Sequence, residues 1–203
     1  MFRDPSVSIH TQDGSKLVAM EDYMFNDRKL WVQGRITPDL VDSLLSQLMV
    51  IEDDYGFAGM LGQNDIDVTI YISSPGGSLT SLNLYDYLIH TPLKIRTVVT
   101  GYAYSAAALL FLAGSERCFM PYSRVMFHEP FYTGNGVENE SIEVVEGICD
   151  DLKNHKDTTL NIISERTGLS KKMVRGKITN RKWFINSEEA VKLGIANKIV
   201  HSL

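Results

Sequence analysis

The segment from Asp67 to Ser73 constrains the fold more than any other part of the sequence. Its residues, Asp-Val-Thr-Ile-Tyr-Ile-Ser, are typical of a β-strand, and apolar side chains fall on both of its faces. A strand that is apolar on both faces belongs in a sheet covered on both sides, usually by the helices that connect parallel strands. Ser74-Pro-Gly-Gly77 follows at once and ends the strand sharply. This segment predicts an α/β protein with a largely parallel sheet.

The rest of the chain alternates between strand-like and helix-like patterns, which is typical of an α/β fold with right-handed crossovers. Weak patterning in the first 20 residues indicates an arm or a short hairpin around Asp13-Gly14, and the glycine-rich stretch from Tyr55 to Asn64 predicts a loop. We find no internal repeat, so residues 1–203 are expected to form one domain. Strands are expected at 29–34, 94–100, 117–120, 124–128 and 195–200, and helices at 39–53, 79–89, 105–113, 140–166, 170–177 and 187–193.

Composition narrows the function classes. With 44% apolar and 22% charged residues the chain is an ordinary soluble protein, and its net charge of −5 offers no basic face for nucleic acid. The most apolar stretch, Ala106 to Ala113, is far shorter than the ~20 residues that span a bilayer, and no secretory signal pattern is visible. The two cysteines lack a Cys-x-x-Cys partner, the histidines lack metal-ligand spacing, and no P-loop occurs. We therefore expect a cytoplasmic protein with no cofactor, no metal, no nucleic acid and no membrane.

Three short segments carry residues that could perform chemistry. Gly76 and Gly77 leave backbone N–H groups unshielded, as an oxyanion site needs, although a plain tight turn is the simpler interpretation. Ser105 opens an alanine-rich helix, where a serine is usually only a cap, yet the helix dipole there would also stabilise a tetrahedral intermediate. His128 ends an apolar strand, where most histidines are structural. Together, in this order, the three supply an oxyanion donor, a nucleophile and a base.

These segments resemble the proteolytic subunit of the Clp protease family. The resemblance covers most of the chain, except for the first 20 residues. It is carried by Ser74-Pro-Gly-Gly77, by Leu109-Leu-x-x-Ala-Gly114 in the helix that follows Ser105, by Pro121-Tyr-Ser-Arg-Val-Met-Phe-His128-Glu-Pro130, and by the closing Phe184-Ile-Asn-Ser-Glu-Glu-Ala-Val-Lys-Leu-Gly-Ile.

The resemblance implies a ClpP/crotonase-type fold of repeated β-β-α units. In this fold a long helix protrudes as a handle (132–168 here) and the first 20 residues form an arm or axial loop. It also implies an ATP-independent serine endopeptidase subunit. Such subunits stack as two seven-membered rings and receive unfolded polypeptides from an AAA+ unfoldase. Ser105 would be the nucleophile and His128 the base, the N–H groups of Gly77 and Ala106 would hold the oxyanion, and Val137 to Ser141 would supply an extended contact between rings.

One position departs from the family pattern. The family's triad aspartate lies two positions before Phe184, where this chain has Lys182, and a charged lysine cannot accept a hydrogen bond from a histidine. Three alternatives stay open. In the first, Asn180 supplies the orienting oxygen. In the second, the pair acts as a dyad or with another carboxylate such as Glu129. In the third, the subunit is weakly active or inactive and has a structural or regulatory role in a mixed ring. An acyl-CoA reaction, which crotonase-type folds also support, lacks an acidic pair at the two glycine turns.

Overall fold

Strands and helices alternate along the chain in a computed structural model that describes residues 5–11, 14–60, 67–131 and 140–203. The strands are β1 (Ser6–Thr11), β2 (Gly14–Ala19), β3 (Lys29–Ile36), β4 (Asp67–Gly77), β5 (Lys94–Tyr104), β6 (Glu116–Phe119), β7 (Arg124–Phe127), β8 (Trp183–Asn186) and β9 (Lys198–Ile199). The helices are α1 (Met20–Asn26), α2 (Pro38–Met60), α3 (Ser81–His90), α4 (Ala106–Ala113), α5 (Ile142–Thr167), α6 (Lys171–Ile178) and α7 (Ser187–Lys192).

The central sheet has the order β3-β4-β5-β6-β9, and each neighbouring pair in it is parallel. Along β4, Val68, Ile70 and Ile72 are buried on one face and Tyr71 on the other. Both faces of the sheet are therefore covered, which confirms the predicted α/β class with a largely parallel sheet. The antiparallel pairing of β8 with β7 was not predicted.

Strands β6 and β7 share one edge of β5, and this arrangement positions the candidate site. The first half of β5 pairs with β6 and its last three residues pair with β7. A tight turn joins the two short strands: the N–H of Met120 and the hydroxyl of Ser123 both donate to the Val99 carbonyl, at 2.9 and 2.8 Å. The chain thus continues along the same edge of β5 and brings the end of β7 beside the end of β5.

Helix α4 lies in the middle of the core, with all eight of its residues buried. A helix that is apolar all round has no solvent face, and its three leading alanines allow close packing against the sheet. The ring of Phe111 meets that of Phe119 edge-on, with centroids 5.0 Å apart. Met126 and Phe127, the two residues before His128, are buried in the core.

Several boundaries differ from the sequence-based expectations. Helix α2 continues to Met60, although a loop was predicted from Tyr55 to Asn64; Gly56 and Gly59 each cost only about 1 kcal/mol in a helix and do not end it. Helix α1 was not predicted. The expected N-terminal hairpin is present as antiparallel β1 and β2, and the long amphipathic helix is present as α5.

Some predictions fall beyond what the structure describes. Of the proposed handle region, residues 132–139 lie outside the described residues, as do most residues of the predicted extended contact segment. No helix in the described ranges is long and apolar enough to cross a membrane.

Candidate active site

Ser105 occupies a strained turn between β5 and α4. Its φ of 57° and ψ of −124° are unusual for a residue with a side chain and hold it at the junction of strand and helix. The backbone is fixed on both sides, because its N–H donates to the Met126 carbonyl at 2.9 Å and its carbonyl accepts from the N–H of Ala108 at 2.9 Å. The side chain does not cap α4. The simpler interpretation, a serine that only caps a helix, therefore does not describe Ser105. Its role as a nucleophile stays a prediction.

The turn at Gly76 and Gly77 packs directly against the turn at Ser105. Gly76 has φ +89°, and a Cβ built on it would lie 2.5 Å from the Tyr104 carbonyl oxygen and 2.8 Å from the Ser105 Cβ. A Cβ on Gly77 would lie 2.0 Å from the carbonyl oxygen of Ile36. Only glycine allows these approaches, so the contact between the two turns depends on both glycines.

The two predicted oxyanion donors, Gly77 and Ala106, belong to the two turns that pack together. The N–H of Ser78, the residue after Gly77, donates to the Ile36 carbonyl at 2.9 Å. Ala106 is the first residue of α4, and the first amides of a helix have no acceptor within it. The oxyanion role of these two amides stays a prediction.

His128 follows β7 directly and is half-buried. It lies two residues after Met126, whose carbonyl bonds to Ser105, so the serine and the histidine come from adjacent points on paired strands. Its Nδ1 contacts the main-chain carbonyl of Glu129, and its ring lies against Phe131 with centroids 5.3 Å apart. Among the described residues the Ser105 hydroxyl has no hydrogen-bond partner, and catalytic hydrogen bonds often tighten only when substrate binds.

The carboxylate of Glu129 is occupied by other groups. It pairs with Lys156 of α5, accepts from the Thr179 hydroxyl at 3.1 Å and accepts from the Asn180 N–H at 3.2 Å. Burial alone would raise the pKa of Glu129, but these three donors together hold that pKa below its ordinary value. The carboxylate therefore stabilises the loop before β8 instead of facing His128.

Asn180 and Lys182 both lie exposed in that loop. Asn180 has φ 53° and bonds to Glu129 through its backbone; within the described part of the chain its side-chain amide has no hydrogen-bond partner. Its proposed role as the third member of a triad stays a prediction. Lys182 forms no ion pair with a described residue.

Two arginines lie at the far end of α4. Arg166 donates to the carbonyls of Leu112 at 2.8 Å and Gly114 at 2.9 Å, and buried Arg117 donates to the carbonyls of Ile195 at 2.9 Å and Gly194 at 3.2 Å. Burial lowers the pKa of Arg117, and the neighbouring charge of Arg166 lowers it further. Neither arginine was predicted from the sequence, although Arg117 is a charged residue inside the strand pattern at 117–120.

The family model for the Clp protease matches residues 12–202. The chain belongs to the Clp protease family. It is 30% identical over 198 residues to "ATP-dependent Clp protease proteolytic subunit 1" of Corynebacterium glutamicum, an alignment that covers 96% of this chain and 89% of the relative. The protein of the same name from Corynebacterium diphtheriae is 31% identical over the same shares. Family and fold thus agree with the resemblance carried by the motifs.

Aromatic side chains cluster beside the turn in this Clp protease family member. Tyr104, directly before Ser105, lies between Tyr102 and Phe184, with ring centroids 5.0 and 5.6 Å apart. Tyr102 and Phe184 are exposed, and Tyr122 is almost fully so. An exposed apolar surface of this kind is suited to an extended peptide or to a subunit contact, and both interpretations of the tyrosines stay open.

Proposed function

We propose that this chain is a serine endopeptidase subunit of a Clp-type protease, which cleaves unfolded polypeptides into short peptides. The observation that supports this most is the backbone at Ser105, which is strained, fixed by two hydrogen bonds and free of the capping bond that would explain a serine there. Strain held at a strand–helix turn is typical of a nucleophile. The printed names of the two relatives describe proteolytic subunits of an ATP-dependent protease, which supports the same activity here.

In the proposed reaction, His128 Nε2 takes the proton of the Ser105 hydroxyl as its oxygen attacks the scissile carbonyl carbon. The N–H groups of Gly77 and Ala106 stabilise the oxyanion of the tetrahedral intermediate. When the intermediate collapses, the C–N bond breaks and His128 returns the proton to the leaving amine. Water, deprotonated by the same histidine, then hydrolyses the acyl-serine ester and releases the second product.

Reaction with a fluorophosphonate probe tests the nucleophile. Wild type should be labelled and Ser105→Ala should not. Ser170→Ala is the matched control, because Ser170 caps α6 by accepting from the Met173 N–H, which makes it a serine whose role is structural. His128→Ala should lower peptidase kcat at least about 10³-fold, as expected when a triad base is lost. An assembled wild-type ring that neither labels nor cleaves a peptide would contradict the proposal and favour an inactive, structural or regulatory subunit.

We also propose that the subunits form two stacked seven-membered rings and receive substrate from a separate AAA+ unfoldase, since the sequence contains no P-loop of its own. The cytoplasm is the proposed compartment, in line with the two free thiols, Cys118 and Cys149. Light scattering measures the assembly. Degradation of a folded substrate should require both the unfoldase and ATP, whereas cleavage of a short peptide should require neither; a protein that stays monomeric at working concentration would contradict the ring assembly.

A further inference from the structure

The group that contacts His128 Nδ1 is a main-chain carbonyl, that of Glu129. A carbonyl oxygen only accepts hydrogen bonds, so its neighbour Nδ1 carries the proton and Nε2 keeps its lone pair. This is the tautomer that a base needs if Nε2 is to take the proton of Ser105. In the family pattern a carboxylate from position 182 would select it, and here that position holds exposed Lys182.

The Glu129 side chain is itself fixed by three groups. Lys156 of α5 pairs with its carboxylate. The Thr179 hydroxyl and the Asn180 N–H, at the end of α6 and just after it, donate to the same carboxylate. The carboxylate is only 20% exposed and the Lys156 side chain 30%. An ion pair sheltered to this degree, and supported by two further hydrogen bonds, fixes its residue better than a fully exposed pair does.

We propose that Glu129 orients the catalytic histidine through its main-chain carbonyl, and that its side chain is the positioning group that holds this carbonyl against His128. The inference rests on the proposed function and accounts for the tolerance of a lysine at position 182. A carbonyl selects the tautomer but carries no full charge. It therefore stabilises the imidazolium less than a carboxylate would.

The test compares Glu129→Ala and Glu129→Gln with a matched control, Glu116→Ala. Glu116 also carries an ion-paired carboxylate, bound to Lys198, but it lies at the start of β6, at the other end of the sheet from Ser105. Peptidase kcat and KM are measured on a short fluorogenic peptide. The tautomer of His128 is read from the ring ¹⁵N shifts of histidine-labelled protein, which contains five histidines.

For wild type we expect a protonated Nδ1 on His128. Glu129→Ala should lower kcat about tenfold with KM changed less than about twofold, the size of effect that one well-oriented hydrogen bond has, and should mix the two tautomers. Glu129→Gln keeps an oxygen for Thr179 and the Asn180 N–H, so it should stay within about threefold of wild type. Glu116→Ala should change neither kcat nor the tautomer.

An Nε2-protonated His128 in wild type, or equal kcat values for Glu129→Ala and Glu116→Ala, would overturn the inference. If Glu129→Ala does not fold, Lys156→Met replaces it: this variant removes one donor and should lower kcat about threefold, and an unchanged kcat counts against the inference. Failure of the proposed function looks different, because wild type would then neither label nor cleave, while the ¹⁵N shifts would still report the tautomer.

Discussion

Replacing Gly76 by alanine should damage both the stability of the fold and the nucleophile turn. A Cβ at this position would lie 2.5 Å from the Tyr104 oxygen, 2.8 Å from the Ser105 Cβ and 3.0 Å from the Ala106 nitrogen. Two of these atoms belong to the backbone and cannot rotate away. The φ of +89° adds a conformational cost that glycine does not have.

The magnitude follows from these two terms. A left-handed backbone costs a residue with a Cβ about 1–2 kcal/mol. Forcing a methyl group into a packed site costs about 1–3 kcal/mol. The free energy of unfolding should therefore fall by about 2–5 kcal/mol. Relief of the overlap must displace Ser105, and a displacement near 1 Å costs about 100-fold in rate, so labelling by a fluorophosphonate should slow by about that factor.

Gly147→Ala is the matched control. Gly147 lies in α5 with nothing within 4 Å of an added Cβ, and alanine is favoured over glycine in a helix by up to about 1 kcal/mol. This variant should be slightly more stable than wild type and should label at the same rate. Urea denaturation and labelling kinetics measure both quantities. A Gly76→Ala protein that unfolds at the wild-type urea concentration and labels at the wild-type rate would refute the close packing of the two turns.

Three further predictions concern charged residues. Lys182→Asp should leave peptidase kcat within about threefold of wild type, because the Nδ1 of the base already has an acceptor; a larger gain, measured on the same peptide, would mean that a carboxylate at this position completes a triad. The pKa of Glu129 is lowered in the fold, so the stability advantage of wild type over Glu129→Gln should be complete above about pH 4.3 and should vanish as pH falls through the lower folded-state pKa. Denaturation at pH 7 and pH 3 checks this, and equal differences at the two values would contradict it. Arg117→Ala should lower the free energy of unfolding by about 3–5 kcal/mol, since it leaves the buried Ile195 carbonyl and the partly buried hydrogen bond to Gly194 without a donor; a loss below about 1 kcal/mol in urea would show that water replaces the guanidinium.

The sequence predicts the sheet well because its strands are buried on both faces and their pattern is therefore unambiguous. Strand β8 was missed for the opposite reason. Its Trp183 and Ile185 are buried, but Phe184 between them is exposed, so the segment reads as uniformly apolar instead of alternating. The end of α2 was misplaced because glycine is a weak signal, lowering helix stability without preventing a helix.

The candidate site, too, could be predicted from the sequence only in part. The order of the glycine turn, Ser105 and His128 is readable from residue types. The arrangement that brings them together is not, because it depends on β7 continuing along the edge that β6 occupies. The contact between His128 and a main-chain carbonyl leaves no trace in residue identity, since every residue carries that group. The ion pair between Glu129 and Lys156 likewise could not be predicted, because it depends on where α5 lies in the fold.

The arginines at the far end of α4 have an electrostatic consequence for the other end. An eight-residue helix is about 12 Å long, and its carbonyl end would normally offset the positive field at its amide end. Here Arg166 covers that end and Arg117 lies beside it, so the negative pole is neutralised and the amide end at Ser105 acts more like an isolated positive charge. At an effective dielectric constant of 20, one unit charge 12 Å away stabilises an anion by about 1.4 kcal/mol, or roughly tenfold in rate. The positive field at the Ser105 end of α4 is thus strengthened by two arginines that lie at its other end.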